Sequence, residues 1–570
     1  MSTESHHSAE GGGKVVLAIV LVAAIYVAAL VAGLPQKATA LIVASNAAHG
    51  ATEHADGGHA DAAHADEDHA DGEHADEEHA ADDHAGEQAG EAGHSDSEHA
   101  DAEHADHGHG EGIVAPPVWT VIPFVLLLGA IALLPLIPFT EHWWESNLHR
   151  LQLAAVLGLL TLAYYGFLHE HPIDGHFPAH YIADFDADGF NWDEVTAILG
   201  GSVAQEYVPF IVLLFSLYTI CGGIRIEGDL QANPMTNAIF MGVGGALASF
   251  IGTTGAAMLF IRPLLETNSE RKHVVHTVVF FIFIVCNCGG CLLPIGDPPL
   301  FLGYLAGVNF FWTMELWPEW LMCNGLLLIV YLLLDELIYY RRETEADITR
   351  DIRQIRHLKY MGVWLNGPLL LGVVAAVAFL DPSKTVPGTD WHPWLYLREM
   401  VQLGLVATSL ALGAREVRRA NSFNYHAIQE VAALFIGIFV CMQPALQILG
   451  LNGKYLADNY LTSPMHFYWV TGALSSVLDN APTYLVFFKT AQVPGLGGPT
   501  AGVEPHYLTA ISLGAVFMGA MTYIGNGPNF MVKAIAEKSG VKMPSFFGYM
   551  AYSCLILLPI LAIVGWRTFR

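Results

Sequence analysis

Two short stretches of sequence decide the fold of this chain: IGDPPLF at residues 295–301 and IGNGPNF at residues 524–530. Each places glycine and proline in the middle of an apolar segment long enough to span a membrane. Such residues leave backbone N–H and C=O groups without helical partners, and hydrocarbon tolerates this only where the groups line a cavity or bind a ligand. The two stretches therefore predict two broken transmembrane helices whose breaks form a site.

The sequence before each broken helix repeats as well. Residues 245–262 match residues 472–489 in the pattern GAL-x-S, followed in both by a phenylalanine and a basic residue. They belong to two apolar regions, 236–266 and 466–490, which Gly, Pro, Ser or Thr interrupts halfway, so each region is predicted to form a re-entrant hairpin. The two repeat cores span about residues 236–308 and 466–536.

The composition is typical of a membrane protein. Of the 570 residues, 53% are hydrophobic and 14% charged, which is too apolar for a soluble enzyme of this length. Apolar segments of spanning length recur between Val118 and Trp566, so we expect an all-α polytopic fold with about 10–11 transmembrane helices. No HExxH, GxSxG or Walker pattern occurs, and neither a membrane enzyme nor an ATP-driven pump is indicated.

The basic residues predict the orientation in the membrane. Arg and Lys concentrate in the loops at 341–359 and 415–419, which marks both as cytoplasmic, and two spans lie between them. The loop at 169–194 has seven acidic and no basic residues and falls on the other side, which in a bacterial inner membrane faces outwards. The first hairpin then enters from the cytoplasm and the second from outside, so the repeats are predicted to be inverted.

The region before the membrane domain (118–570) has two parts. In residues 1–48, an apolar run of about 20 residues at 15–34 fits a signal peptide or an anchor helix, and its length favours a retained helix. Residues 49–117 contain 21 Asp and Glu and no apolar residue larger than alanine before Ile113, so this tract is predicted to be disordered and outside the cytoplasm. Without it the net charge is about −9 instead of −30.

The tract carries thirteen histidines from His49 to His109, mostly five residues apart. They are candidates for binding zinc or other divalent ions, or for a pH-responsive tail, and a neutral repeat expansion explains them equally well. A spacing of five advances about 140° on a helix, so no single face collects them. A protein that only scavenges metal would leave the membrane repeat unexplained.

Two carboxylates are the main candidates for the site. Asp297 lies in the first broken helix and Asp479 at the tip of the second hairpin, both deep in apolar sequence. A charge in the membrane centre costs on the order of 3 kcal/mol, so we expect each to meet a cation or a proton, with a helix cap as the alternative. Asp297 aligns with Asn526 and Asp479 with Gly252, so each half supplies one carboxylate.

Neutral oxygen ligands lie at the same breaks and suit a hard monovalent cation better than a soft metal, although capping of the half-helices also explains them. These neutral candidates are Thr253, Thr254, Asn480, Asn526 and Asn529.

Two further acidic residues lie in apolar spans. Glu206, near the outer end of a span, is either a proton relay or an interfacial residue. Asp335, close to Arg341, is interpreted as part of a structural ion pair.

These motifs resemble the ion transporter superfamily. PIGDPP at 294–299, SVLDNAP at 476–482 and IGNGPN at 524–529 are most similar to bacterial NhaD-type sodium/proton antiporters and CitMHS-like citrate transporters, over about residues 118–566. The resemblance implies a transport domain in the lipid bilayer, often a homodimer, in which the hairpin-bearing region moves against a scaffold. It does not account for the His-rich tract.

Two transport functions follow, of which exchange of sodium or another monovalent cation for protons is favoured. A carrier of citrate or another carboxylate, with or without a coupled cation, is the alternative, but carboxylates at both breaks would repel its substrate unless cations accompanied it. Arg262 and Lys489 are interpreted as snorkelling at the membrane edges. We expect no cofactor beyond the transported Na⁺ and H⁺, and no nucleic acid partner.

Overall fold

The computed structural model of the chain describes residues 4–57, 114–185, 189–343, 356–493 and 497–570. It is an all-α polytopic membrane protein, as predicted. Within these residues, six helices are long and apolar enough to cross a membrane, or eight if each of two bent pairs is one span. This number is below the predicted 10–11 because broken helices divide into pieces shorter than a membrane thickness.

The helices are numbered in chain order, and the four short strands form two antiparallel pairs. The helices are α1 (Glu4–Val31), α2 (Leu34–Gly57), α3 (Ile122–Leu133), α4 (Pro138–Trp144), α5 (Asn147–Phe167), α6 (Trp192–Leu199), α7 (Val208–Cys221), α8 (Pro234–Ile251), α9 (Thr253–Thr267), α10 (Val275–Ile284), α11 (Pro298–Leu305), α12 (Trp317–Leu334), α13 (Val363–Phe379), α14 (Leu397–Leu412), α15 (Arg415–Ala420), α16 (His426–Cys441), α17 (Gln443–Asn459), α18 (Pro464–Ser475), α19 (Asn480–Ala491), α20 (Pro505–Met518), α21 (Gly527–Lys538), α22 (Phe546–Tyr552) and α23 (Leu558–Phe569). The strands are β1 (Ile173–Gly175), β2 (Tyr181–Ala183), β3 (Arg225–Asp229) and β4 (Arg356–Met361).

Each half of the repeat begins with a helical hairpin that is capped in the same way. In α8–α9 the chain turns at Gly252, which has a φ of 78° that favours glycine. The side chain of Asn233 caps α8 by accepting the Thr236 N–H at 2.8 Å, and that of Ser463 caps α18 by accepting a backbone N–H in the same way. The second hairpin, α18–α19, turns just before Asn480.

Each hairpin packs against a broken helix, α10–α11 in the first half and α20–α21 in the second. Ser249 Oγ donates to the Gly289 carbonyl at 2.7 Å, and Ser476 Oγ, at the equivalent position, donates to the Met518 carbonyl at 3.2 Å. A hairpin hydroxyl thus satisfies a carbonyl that the helix break leaves free, which hydrocarbon would otherwise penalise by several kcal/mol.

Close backbone contact at the breaks requires glycine. A Cβ atom at Gly296 would collide with the carbonyl oxygen of Gly290, and one at Gly525 would collide with that of Gly519. These two pairs occupy equivalent positions in the aligned sequences. The glycines of the IGD and IGN motifs therefore let the chain fold tightly back on itself before it enters α11 and α21.

Segments that were predicted to share one side of the membrane meet in space. At one end, β3 pairs with β4, and Arg225 donates to the carbonyl of Ala420 at 2.7 Å, so the two basic loops adjoin. A cavity of about 940 Å³ is lined by residues of the acidic loop, by Lys384, and by Ile42 and Val114 on either flank of the His-rich tract. It is named here the outer cavity, after the side of the membrane on which the acidic loop is predicted to lie.

The N-terminal helices pack on the transport domain. Tyr26 in α1 donates to the Leu395 carbonyl at 2.9 Å, and Thr39 in α2 donates to the Pro393 carbonyl at 3.2 Å. Helix α2 continues through residues 49–57, where the sequence predicted disorder. Alanine and glutamate favour the extension of a helix that has already begun. The remainder of the tract, 58–113, lies outside the described residues.

Candidate ion-binding site

The breaks of both halves meet at Asp297. Its side chain is 1% exposed, and its carboxylate accepts hydrogen bonds from Thr253 Oγ1 at 3.0 Å, Asn480 Nδ2 at 2.8 Å and Asn526 Nδ2 at 3.1 Å. These donors come from the turn of the first hairpin, the turn of the second hairpin and the second broken helix. One buried carboxylate thereby joins four elements of the repeat, and we call these four residues the Asp297 cluster.

The cluster is nearly symmetric in position but not in charge. Thr253 and Asn480 follow the two hairpin turns, and Asp297 and Asn526 precede the two half-helices α11 and α21. Among the described residues, no Lys, Arg or His forms an ion pair with Asp297, whose partners are all neutral. A buried carboxylate that lacks a fixed cation is suited to binding a proton or a mobile cation.

A second layer of amides surrounds the cluster. Asn526 Nδ2 also lies 3.2 Å from Asn287 Oδ1 and 3.1 Å from the Cys286 carbonyl, while Asn287 Nδ2 donates to Asn529 Oδ1 at 2.8 Å. The sequence motifs did not predict Asn287 as a site residue. The available signal was an amide within an apolar segment, because such a group needs a polar partner once it is buried.

The Oδ1 atom of Asn480 is buried and has no hydrogen-bond partner within the described residues. The two ends of an amide occupy almost the same space, so rotation of Asn480 would bring this oxygen next to the Asp297 carboxylate. The same rotation of Asn526 would add a second carbonyl oxygen. With the Thr253 hydroxyl, these groups form a set of hard oxygen ligands, which suits a cation such as Na⁺.

Asp479 and Thr254 do not contact Asp297. Asp479 is half-buried and caps α19, because its Oδ1 accepts the Ala481 N–H at 3.1 Å. This is the helix-cap alternative considered for that residue, although its charge is close enough to act on Asp297. Of the two carboxylates, Asp297 therefore lies within the cluster and Asp479 lies beside it.

Glu206 lies in the wall of the outer cavity, apart from the Asp297 cluster. Lys489 lines the same cavity, so its side chain faces a polar cavity within the protein. Neither residue belongs to the set of groups that contacts Asp297.

Asp335 has a structural environment that contrasts with that of Asp297. It pairs with Arg271, whose Nη1 lies 2.9 Å from Asp335 Oδ2, instead of the predicted neighbour Arg341. His276 Nε2 lies 3.0 Å from Asp335 Oδ1, and the Tyr331 hydroxyl donates to Oδ2 at 2.8 Å. The interpretation as a structural ion pair stands, but its partner comes from the loop after the first hairpin.

The predicted metal site falls on the His-rich tract, most of which lies outside the described residues. Within the described residues, no group of three or more His, Cys, Asp and Glu side chains is arranged to hold a metal ion.

The chain is similar to known transport proteins. Residues 189–569 match the model of a family described as "putative citrate transport". Two uncharacterized transporters, from Mycobacterium bovis and Mycobacterium tuberculosis, are each 22% identical over 392 residues, which cover 66% of this chain and 85% of the relative. The region that matches the family model contains both hairpins and both broken helices.

Proposed function

The chain belongs to this citrate-transport family and is a multi-pass membrane transporter, and we propose that the ions it exchanges at the Asp297 cluster are a monovalent cation, most simply sodium, and protons. One observation carries the proposal: a buried carboxylate held by neutral donors from both halves, with no ion-pair partner among the described residues. Such a group binds a proton or a cation in turn, and that competition couples the two fluxes.

The amides around Asp297 give the exchange a physical route. When Asp297 is negative and binds no cation, Asn480 and Asn526 donate N–H groups to it. A cation at the carboxylate would repel those N–H groups and favour rotation of both amides, so that their oxygens face the ion. Protonation of Asp297 removes the charge that holds the cation, and the ion is released.

The repeat supplies the movement in this proposal. The equivalent contacts of Ser249 and Ser476 support two halves of common design, and the charge pattern favours opposite orientations in the membrane. The hairpins would move against a scaffold and expose the cluster to each side in turn. We expect a homodimer in the inner membrane, the arrangement that the family resemblance implies.

Transport of citrate or another carboxylate is the second candidate, favoured by the description of the family. The N-termini of α11, α19 and α21 lie at the breaks, and their free N–H groups attract anions. Asp297 opposes such a substrate by charge repulsion. Citrate would therefore have to enter together with cations that neutralise this carboxylate.

Purified protein in proteoliposomes tests both candidates. Internal pH is followed with a trapped dye while sodium, lithium, potassium or citrate is added outside. We expect a monovalent cation alone to drive proton movement, and Asp297→Asn to abolish it. Proton movement or uptake that requires citrate, and is unaffected by Asp297→Asn, would refute cation exchange and favour the carboxylate carrier.

A further inference from the structure

The outer cavity contains a half-buried acid, Glu206, one of whose carboxylate oxygens is buried without a hydrogen-bond partner in the described residues. Glu206 lies on a π-helical turn, Gly200–Tyr207, inserted between α6 and α7, and such turns recur at functional sites. Its Oε2 atom is buried and accepts no hydrogen bond within the described residues. An unpaired buried acceptor is costly and more so when charged, so Glu206 needs a proton, a water molecule or a cation.

A basic residue faces the same cavity from the other part of the molecule. Lys489 is on α19, in the second hairpin, whereas Glu206 is on a long span outside the repeat core. Lys489 lies within electrostatic reach of Glu206 and Asp174, yet among the described residues no carboxylate oxygen lies within 4.0 Å of its Nζ. Glu206 and Lys489 therefore line the same cavity without direct contact.

The other titratable groups do not replace this pair. His180 Nε2 lies 3.4 Å from Asp174 Oδ1, at the mouth formed by β1 and β2. Burial, reinforced by the charge of Lys489, lowers the pKa of His176 to about 4, so its imidazole is neutral near pH 7. The other titratable side chains that line the cavity are Asp174, His176, His180 and Lys384.

The outer cavity lies close to the Asp297 cluster. Leu302 and Leu485 line it, and they follow the cluster residues Asp297 and Asn480 by five residues each, roughly 8 Å along α11 and α19. At the level of these leucines, Gly303 packs directly against the ring of Tyr484 and joins α11 to α19. The cavity and the cluster therefore lie at successive levels of the same two helices.

We infer that Glu206 is the proton-transfer group between the outer cavity and the Asp297 cluster, and that Lys489 is a positioning residue that controls its charge. The inference rests on the proposed exchange at Asp297. Glu206 accepts a proton released by the cluster when the contact between α11 and α19 at Gly303 and Tyr484 loosens, and returns it to water in the cavity. The positive charge of Lys489 favours the anionic form of Glu206, so Glu206 releases the proton to the water in the cavity.

The test measures proton transfer and sodium binding separately. Glu206→Gln should lower the maximal rate of cation-driven proton flux at least about tenfold, while equilibrium binding of radioactive sodium to purified protein changes less than about twofold. Glu206→Asp, which still titrates, should restore much of the rate. The matched control is Asp193→Asn, an exposed carboxylate on the same side of the protein, which should leave both quantities unchanged.

A cysteine at this position tests charge against proton transfer. In a background without the seven native cysteines, Glu206→Cys should react with an impermeant thiol reagent added outside. A sulfonate reagent restores a negative charge that cannot carry a proton near pH 7, so the flux should stay low. Recovery of flux by the sulfonate would overturn proton transfer and leave a purely electrostatic role.

The outcomes distinguish this inference from its premise. Normal flux in Glu206→Gln, or a loss of flux matched by an equal loss of sodium binding, overturns the inference while the exchange at Asp297 stands. Absence of cation-driven proton flux in the unsubstituted protein refutes the proposed function, and this inference with it.

Discussion

Replacement of Asp297 by asparagine separates the function of the buried charge from its contribution to folding. The carboxylate accepts three hydrogen bonds, each worth about 1.5–3 kcal/mol to a charged acceptor. Burial of that charge costs several kcal/mol, which asparagine avoids. Asn480 can rotate its unpartnered oxygen to accept from the new amide. The two effects oppose each other, so the free energy of unfolding should change by less than about 2 kcal/mol.

The same substitution should abolish exchange. Loss of one unit charge about 4 Å from a cation, at an effective dielectric constant of 20, removes about 4 kcal/mol of attraction. That corresponds to about a thousandfold weaker binding of the cation. Asparagine also cannot carry the exchanged proton. Sodium-dependent proton flux in proteoliposomes should therefore be absent at concentrations that saturate the unsubstituted protein.

Asp335→Asn is the matched control, because Asp335 is equally buried but forms an ion pair. It would remove the close ion pair of the buried Arg271, which keeps only a 4.0 Å contact with Glu343, and loss of one partner of a buried pair costs about 3–5 kcal/mol. We expect a clearly lower thermal unfolding midpoint in Asp335→Asn and a nearly unchanged one in Asp297→Asn, measured in the same detergent. Normal flux in Asp297→Asn, or equal destabilisation by both substitutions, would refute the reasoning.

Four further predictions follow from the same cluster and fold. Apparent cation affinity should weaken in acid, because a carboxyl must lose its proton before it binds a cation, and a pH-independent affinity in flux assays would contradict a shared site. Asp479→Asn should also abolish exchange with near-normal stability, since asparagine retains the helix cap, and normal flux would remove Asp479 from the site. Gly303→Ala should block transport because its methyl group collides with the Tyr484 hydroxyl, and addition of Tyr484→Phe should restore part of the flux. Single cysteines at Thr344 and Ser539 should both resist an impermeant reagent on intact cells, whereas labelling of only one would show that the repeats are not inverted.

The sequence alone determined the membrane class and the repeated order of hairpin and broken helix. These properties follow from local composition, because apolar length and mid-segment glycine and proline act on their own segment whatever surrounds it. The same motifs predicted that Asp297, Thr253, Asn480 and Asn526 would lie at breaks. The structure brings these four into contact.

Only the tertiary structure decided which groups meet across the two halves. Alignment cannot show that Asp479 caps its own helix while Asn480 reaches Asp297, since adjacent residues at a turn point in directions that the packing sets. Asn287 and the Asp335 partner Arg271 depend likewise on contacts between distant segments. Lys489 appeared to be a membrane-edge residue because sequence gives depth along a helix but not the neighbour that its face meets. That neighbour is the span that carries Glu206, and the cavity that both residues line exists only once both elements are packed.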